Sequence, residues 1–299
     1  MPNSPESPPG TPAAVALHAR GLVRSFGDRR AVDGLDLTVR RGECLGLLGP
    51  NGAGKSTSLR MFCARLSRHA GELKVLGLDP SRDGEALRAR IGLVPQDLAL
   101  YDDLTARENL RLFGALYRLS GRVLDEAVAR ALEAAGLLER ADDRVGQYSG
   151  GMKRRLNVVA GTLHDPELVL LDEPTVGIDP QSRTRIFELV EALRSRGTTL
   201  IYTSHALGEV ERLCDRIAIL DTGRMLACGS LAELQARHRR APSEPSDGEL
   251  RLGDPTKTGT AIRLLQQAGI AVNLREPAVG LEEVFLGLTG RKLRDEEVR

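Results

Sequence analysis

The run Gly49-Pro50-Asn51-Gly52-Ala53-Gly54-Lys55-Ser56-Thr57 fits the spacing G-x-x-x-x-G-K-[ST], a pattern that can hold a chain of phosphates. Its glycines allow a backbone curl whose N–H groups point inward at phosphate oxygens. Lys55 would then reach the β- and γ-phosphates, and the Ser56 hydroxyl would give one hard oxygen to Mg²⁺. The flanks suit the motif. An apolar strand-like run, 44–48, precedes it, and a helix opening Ser58-Leu59-Arg60 follows, aiming its positive N-terminal end at the same anion.

A second chemical run is Leu168-Val169-Leu170-Leu171-Asp172-Glu173-Pro174, which reads as a buried strand ending in two carboxylates. Asp172 can hold the Mg²⁺ shell through water, and Glu173 can polarise an attacking water. The plainer alternative for Glu173 is a helix-start carboxylate before Pro174. Upstream, Tyr148-Ser149-Gly150-Gly151-Met152-Lys153 offers another nest of amides opening a helix, again suited to an anion.

Ser149-Gly150-Gly151 ahead of an acid-tipped strand resembles the signature motif of the ABC transporter ATPase family, and the resemblance extends from about Val15 to Leu231. It implies ATP and Mg²⁺ as ligands. It also implies a strand-ending glutamine, matched by Gln96 in Leu93-Val94-Pro95-Gln96-Asp97, and a histidine after a later strand, matched by His205 in Tyr202-Thr203-Ser204-His205. On the same resemblance Asp179 in Gly177-Ile178-Asp179 faces a second subunit, and Phe26 in Ser25-Phe26-Gly27 stacks on adenine. Lys55, Gln96, Glu173 and His205 are then the hydrolytic groups, with Ser56, Gln96 and Asp172 around the metal. Ser149, Gly150 and Gly151 would cover ATP bound by a partner copy, so two chains placed head to tail form a homodimer enclosing two nucleotides.

Two positions depart from the family pattern. Tyr148 stands where leucine is usual, and Phe26 where tyrosine is usual. Phenylalanine keeps the π-face that stacking needs, a contact of about 1 kcal/mol. Core packing is the other reading of Phe26, and a lone histidine such as His205 is more often a hydrogen-bonded structural residue than a phosphate contact.

The tail Leu281-Glu282-Glu283-Val284-Phe285-Leu286-Gly287-Leu288-Thr289-Gly290-Arg291 looks like the ending of ATPases paired with ABC-2-type permeases, mostly bacterial exporters. That resemblance implies membrane permease partners and a peripheral place on the cytoplasmic face of the cell membrane. Spacing alone gives an amphipathic helix with Leu281, Val284, Phe285 and Leu288 on one face. Leu98-Ala99-Leu100-Tyr101 is apolar for a loop; the resemblance puts a permease docking groove nearby, and internal packing is the other reading. A soluble ABC-type ATPase acting on ribosomes or DNA would carry the same ATP site. Such relatives hold two domains in one chain or split the motifs around long coiled coils, and no heptad run separates Lys55 from Asp172 here. A P-loop kinase is disfavoured by Ser149-Gly150-Gly151 together with Glu173 and His205.

A sheet must carry these groups. Strand-like runs at 43–48, 91–95, 168–172, 199–204 and 217–221, the last three separated by helical stretches, predict an α/β fold with a parallel sheet. The full expectation is a P-loop NTPase parallel sheet with an N-terminal antiparallel β part. To this are added an all-helical insertion at about 104–163 and a small C-terminal α+β accessory domain. The expected order is a disordered Pro-rich tail at 1–13, a nucleotide-binding domain at 14–236, a linker at 237–247 and the accessory domain at 248–299. Strands at 249–252 and 270–274 and helices at 260–268 and 281–288 would build that last domain.

Lys and Arg total 42 against 41 Asp and Glu, so whole-chain charge points to no nucleic-acid partner. Lys153-Arg154-Arg155 and the basic run at 237–240 read as solvated faces. The four cysteines include no Cys-x-x-Cys pair, which disfavours a zinc site and a disulfide framework and fits a reducing compartment. No apolar run approaches the roughly 18 residues that a membrane-spanning helix needs, and the first residues lack the pattern of a signal peptide.

Overall fold

The computed structural model describes residues 14–237, 258–267 and 280–290. Its strands are β1 (Val15–Phe26), β2 (Arg29–Arg40), β3 (Cys44–Leu48), β4 (Ala70–Val75), β5 (Ile91–Val94), β6 (Leu168–Asp172), β7 (Thr199–Ser204), β8 (Arg216–Asp221) and β9 (Arg224–Gly229). Its helices are α1 (Lys55–Phe62), α2 (Gly84–Arg88), α3 (Ala106–Leu116), α4 (Gly121–Ala134), α5 (Gly150–Thr162), α6 (Pro180–Ser195), α7 (Leu207–Leu213), α8 (Leu231–Arg237), α9 (Thr258–Gln267) and α10 (Leu281–Thr289).

β1 lies between β2 and β4 in a three-stranded antiparallel sheet. The larger sheet has the order β5-β6-β7-β3-β8-β9, parallel except for β9. Every residue of β3, β6 and β7 is buried, as strands covered on both faces must be. The side chains then divide by the two-residue period of a strand. Cys44, Leu48, Val169, Leu171, Leu200, Tyr202, Ile217 and Ile219 join one core with the helices. Leu45, Leu47, Leu168, Leu170, Ile201, Ala218 and Leu220 join the other, with the antiparallel sheet and α1. The parallel sheet, the antiparallel β part and the helical insertion expected from the sequence are all present.

Between β5 and β6 the chain is helical. α3 opens on a capping box in which Thr105 Oγ1 accepts from the Glu108 amide while Glu108 accepts from the Thr105 amide. The basic triplet before α5's midpoint is not a solvated face. Arg154 is buried and donates to the carbonyls of Gln96 and Val176, Arg155 donates to the Ala135 carbonyl, and Lys153 pairs with Asp102. Arginine binds carbonyls inside a protein readily because its planar head is weakly hydrated and carries several donors.

α10 packs on α7 and α8 and buries Leu281, Val284 and Phe285 in the helix-side core. The strands expected at 249–252 and 270–274 and the tail at 1–13 lie outside the described residues. Of the expected linker only Arg237 is described, as the last residue of α8. Among the described residues, no helix is long and apolar enough to cross a membrane. Phe285 is 1% exposed, so Phe285→Ala should destabilise the fold by about 3 kcal/mol, measured by denaturant unfolding. A change under about 0.5 kcal/mol would mean that α10 is not part of the cooperative core.

Candidate functional site

The phosphate-loop segment joins β3 to α1 and is held by close packing. Gly54 has φ +102°, and a Cβ there would lie 2.4 Å from the Ala31 carbonyl, so only glycine fits where the loop turns into the helix. Lys55 is 4% exposed and folds back over the loop, donating to the carbonyls of Gly49 (2.7 Å) and Pro50 (3.3 Å). Its Nζ is 3.0 Å from Oε1 of Glu173, itself 5% exposed. Oε2 of Glu173 lies 3.2 Å from Nδ1 of His205, just past the end of β7. The lysine, the glutamate and the histidine thus form one contiguous cluster at the carboxyl ends of β3, β6 and β7.

Beside it, Ser56 Oγ donates to Asp172 Oδ1 at 3.0 Å. The same carboxylate oxygen accepts from Thr203 Oγ1 at 2.8 Å, and that hydroxyl oxygen accepts from the Glu173 amide at 2.9 Å. Glu173 itself has φ +46°, a left-handed conformation that costs a non-glycine residue on the order of 1 kcal/mol and persists only where its surroundings fix it. Thr203 is one of those surroundings. It was not among the residues singled out from sequence, although it precedes His205 by two positions.

The electrostatics follow from this crowding. Burial pushes the Glu173 carboxyl up, but the hydrogen bond to His205 and the Lys55 charge outweigh it and hold the pKa at about 2. The Glu173 hydrogen bond raises His205 above its ordinary value against the opposing effect of burial. Glu173 is therefore a carboxylate near neutral pH, and its present partners keep it a weak base.

The other predicted residues fall into three places. Gln96 is two residues past β5, whose end pairs Val94 with Leu171, so it leaves the sheet near the level of Glu173; its side chain is exposed, and its carbonyl accepts from Arg154 at 2.5 Å. Phe26 ends β1 at the hairpin, half exposed, with the Arg24 guanidinium 4.9 Å from its ring centre. The hairpin is tied to the phosphate loop by Arg29, which donates to the Gly52 carbonyl at 3.0 Å. Ser149 and Asp179 cap α5 and α6, accepting from the amides of Met152 and Ser182. A Cβ on Gly151 would lie 2.0 Å from Ser182 Oγ, so the two helix starts sit flank to flank, while Gly150 has open space beside it. Tyr148 is buried, and its hydroxyl donates to the Arg140 carbonyl at 2.6 Å, which accommodates the extra oxygen relative to leucine. In the apolar loop, Leu100 packs on the core while Leu98 and Tyr101 remain exposed, and the backbone is pinned by Asn157 and Asn109.

Two oxygens of Ser56 and Asp172 at one point, with no further His, Cys, Asp or Glu completing a cluster of three among the described residues, suit a cation that keeps most of its shell as water and phosphate. Mg²⁺ is such a cation.

Comparison with known proteins accords with this geometry. The family model described as "ABC transporter" matches residues 32–176, and one described as "AAA domain, putative AbiEii toxin, Type IV TA system" matches 144–211. A linearmycin resistance ATP-binding protein of Bacillus subtilis (strain 168) is 46% identical, over 74% of this chain and 71% of its own. A Nod factor export ATP-binding protein I of Rhizobium meliloti (strain 1021) is 39% identical, over 96% of this chain and 92% of its own. Among solved structures, an ATP-binding subunit of an ABC transporter superposes with a TM-score of 0.68 at 28% identity, covering 74% of this chain and 92% of its own.

The Glu173–His205 contact has a pH window. Glu173, lowered from 4.5 to about 2, contributes stability above 4.5 that is lost as pH falls towards 2. His205, raised above 6.5, contributes stability below 6.5 that is lost as pH rises through its folded value. The gap in melting temperature between wild type and His205→Gln should therefore be widest between 4.5 and 6.5 and narrow on either side. A gap independent of pH would contradict the pairing.

Proposed function

Since the chain belongs to the ABC transporter ATP-binding family, whose members hydrolyse ATP, we propose that it energises export through a separate membrane permease of the ABC-2 type, working as a homodimer. The observation that carries the reading is the contiguous cluster of Lys55, Glu173 and His205 beside the Ser56–Asp172 pair.

ATP lies with its triphosphate in the 49–57 loop and its adenine against Phe26, where Arg29 keeps hairpin and loop in fixed relation. The amides of Gly49, Asn51, Gly52 and Gly54 and those of Lys55, Ser56 and Thr57 supply the anion cradle around Pro50, which has no N–H to give, while the Ala53 amide closes the loop onto the Pro50 carbonyl. Lys55 turns from Glu173 to the β- and γ-phosphate oxygens. Removing that cation strips away one of the charges that keep the carboxyl acidic, so Glu173 becomes a better base when substrate arrives. It then orients a water and takes its proton as the water oxygen bonds to the γ-phosphorus and the bond to the ADP oxygen breaks. His205 and Gln96 report the state of the γ-phosphate to their strands. Ser56 and Asp172 would hold Mg²⁺, which supplies positive charge to the phosphate oxygens when bound.

Ser149, Gly150 and Gly151 serve the nucleotide of the partner copy, and the open space at Gly150 supports an approach to the α5 start from outside the chain. Asp179, exposed beside them, meets the same partner. The exposed Leu98 and Tyr101 are the surface we assign to the permease, which puts the chain at the cytoplasmic face of the membrane. Similarity to an export ATP-binding protein across nearly the whole chain, α10 included, supports the ABC-2 pairing.

Lys55→Ala should abolish ATP binding by calorimetry, and retained affinity would remove the loop from this account. Tagged Glu173→Gln, solubilised from host membranes with ATP and Mg²⁺, should carry a multi-span membrane protein with it. Recovery of ribosomes or DNA alone would favour the soluble-ATPase reading.

A further inference from the structure

Glu209, in the first turn of α7, is 5% exposed. Its Oε2 accepts hydrogen bonds from Thr175 Oγ1 (2.8 Å), Tyr202 Oη (3.0 Å) and Ser204 Oγ (2.8 Å). Its Oε1 faces Nε of Arg183 at 3.7 Å, an ion-pair contact longer than a hydrogen bond. Each of these groups sits beside a residue of the site: Thr175 two positions after Glu173, Ser204 directly before His205, Arg183 one turn into α6 from Asp179. Tyr202 pairs across the sheet with Leu171, next to Asp172. A cavity of about 420 Å³ opens between α6 and the His205 loop, lined by Arg183, Phe187, His205 and Glu209, and Arg183 and Glu209 meet on its wall.

A carboxylate this buried is expensive unless donors surround it, and Glu209 has them. Burial drives the Tyr202 hydroxyl well above its ordinary pKa, so it stays a donor. Apolar residues of similar volume often hold a fold as well as a buried ion pair does, so such a network is weak evidence for a role in stability alone. What the network does add is a fixed relation among four segments. Glu173 shows the need for it: its left-handed backbone is held at the amide by Thr203 and, two residues on, by the Thr175–Glu209 bond.

We propose that Glu209 is a positioning residue for hydrolysis, fixing the Glu173 and His205 segments relative to each other and tying both to α6 and so to Asp179. The proposal rests on the reading of Glu173 and His205 as hydrolytic groups. Glu209 touches neither nucleotide nor attacking water; it acts through Thr175, Ser204 and Arg183. A displacement of the Asp179 end of α6 when a second copy docks would reach the hydrolytic pair along this path.

The test compares Glu209→Gln, Thr175→Val and Thr175→Ser with Glu173→Gln, measuring ATP affinity, kcat and melting temperature on the full chain. Glu209→Gln and Thr175→Val should lower kcat between about tenfold and a hundredfold while ATP affinity stays within about twofold of wild type. Thr175→Ser, which keeps the hydroxyl, should restore most of the turnover. If Glu209→Gln does not fold, the Thr175 pair decides alone. Wild-type kcat in Thr175→Val and in any folded Glu209→Gln, with Glu173→Gln inactive, would overturn the proposal, as would Thr175→Ser losing as much as Thr175→Val. Normal turnover in Glu173→Gln would overturn the hydrolytic reading itself, and the proposal with it.

Discussion

The contact between Lys55 and Glu173 joins two side chains that are almost wholly out of water, 4% and 5% exposed and 3.0 Å apart. Either charge alone at that depth would cost several kcal/mol. The rest of the site can be understood as what makes both tolerable. Carbonyls of Gly49 and Pro50 take further protons of the ammonium, and His205 takes the second oxygen of the carboxylate. The sheet order supplies the meeting point, because β3 lies next to β7 and β7 next to β6, so their carboxyl ends deliver loop, histidine and glutamate to one edge. On the proposed reading the same arrangement makes the site responsive: a triphosphate would compete for the lysine, and the glutamate would gain basicity as the lysine leaves.

Behind this contact stands a layer of hydroxyls. Thr203 bridges Asp172 and the Glu173 amide, while Thr175, Tyr202 and Ser204 converge on Glu209. Arg154 plays a similar part from the helical side, joining the start of α5 to the carbonyls of Gln96 and Val176. Polar groups buried at this density hold a geometry only when nearly all are satisfied, and these are satisfied by one another. The helix carrying Ser149 and the loop carrying Gln96 are thereby linked through the Arg154 guanidinium, with Asn157 of the same helix bonding Pro95 and Ala99 on either side, so a load on one bears on the other.

Much of this was legible in the sequence because the decisive segments are contiguous. Gly49 to Thr57 declare a loop between strand and helix, and 168–174 declare a buried strand ending in acids, since local spacing and apolar pattern suffice for both. Gln96, His205 and Asp179 became visible through family resemblance. The supporting layer was hidden for a physical reason: its partners are brought together by strand order. Glu209 looks like an ordinary acid at a helix start, and its meeting with Thr175 depends on β6 lying beside β7. Arg154 stood in a basic triplet whose composition matches a solvated face, and only the packing of α5 under residues 95–97 turns it inward. In the C-terminal segment the amphipathic spacing of α10 was evident, but its burial against α7 and α8 was not.

One chain carries the lysine, the glutamate and the histidine together, while Ser149 and Gly150 open outward at the start of α5. The central claim is that ATP completes its site between two copies and that Glu173 then cleaves it. Light scattering on Glu173→Gln with ATP and Mg²⁺ tests both parts at once. The account predicts that the mass doubles, that one unhydrolysed ATP is retained per chain, and that adding Lys55→Ala returns the protein to a single chain. Bound ATP at single-chain mass, or a Glu173→Gln protein that turns over ATP like wild type, would contradict it.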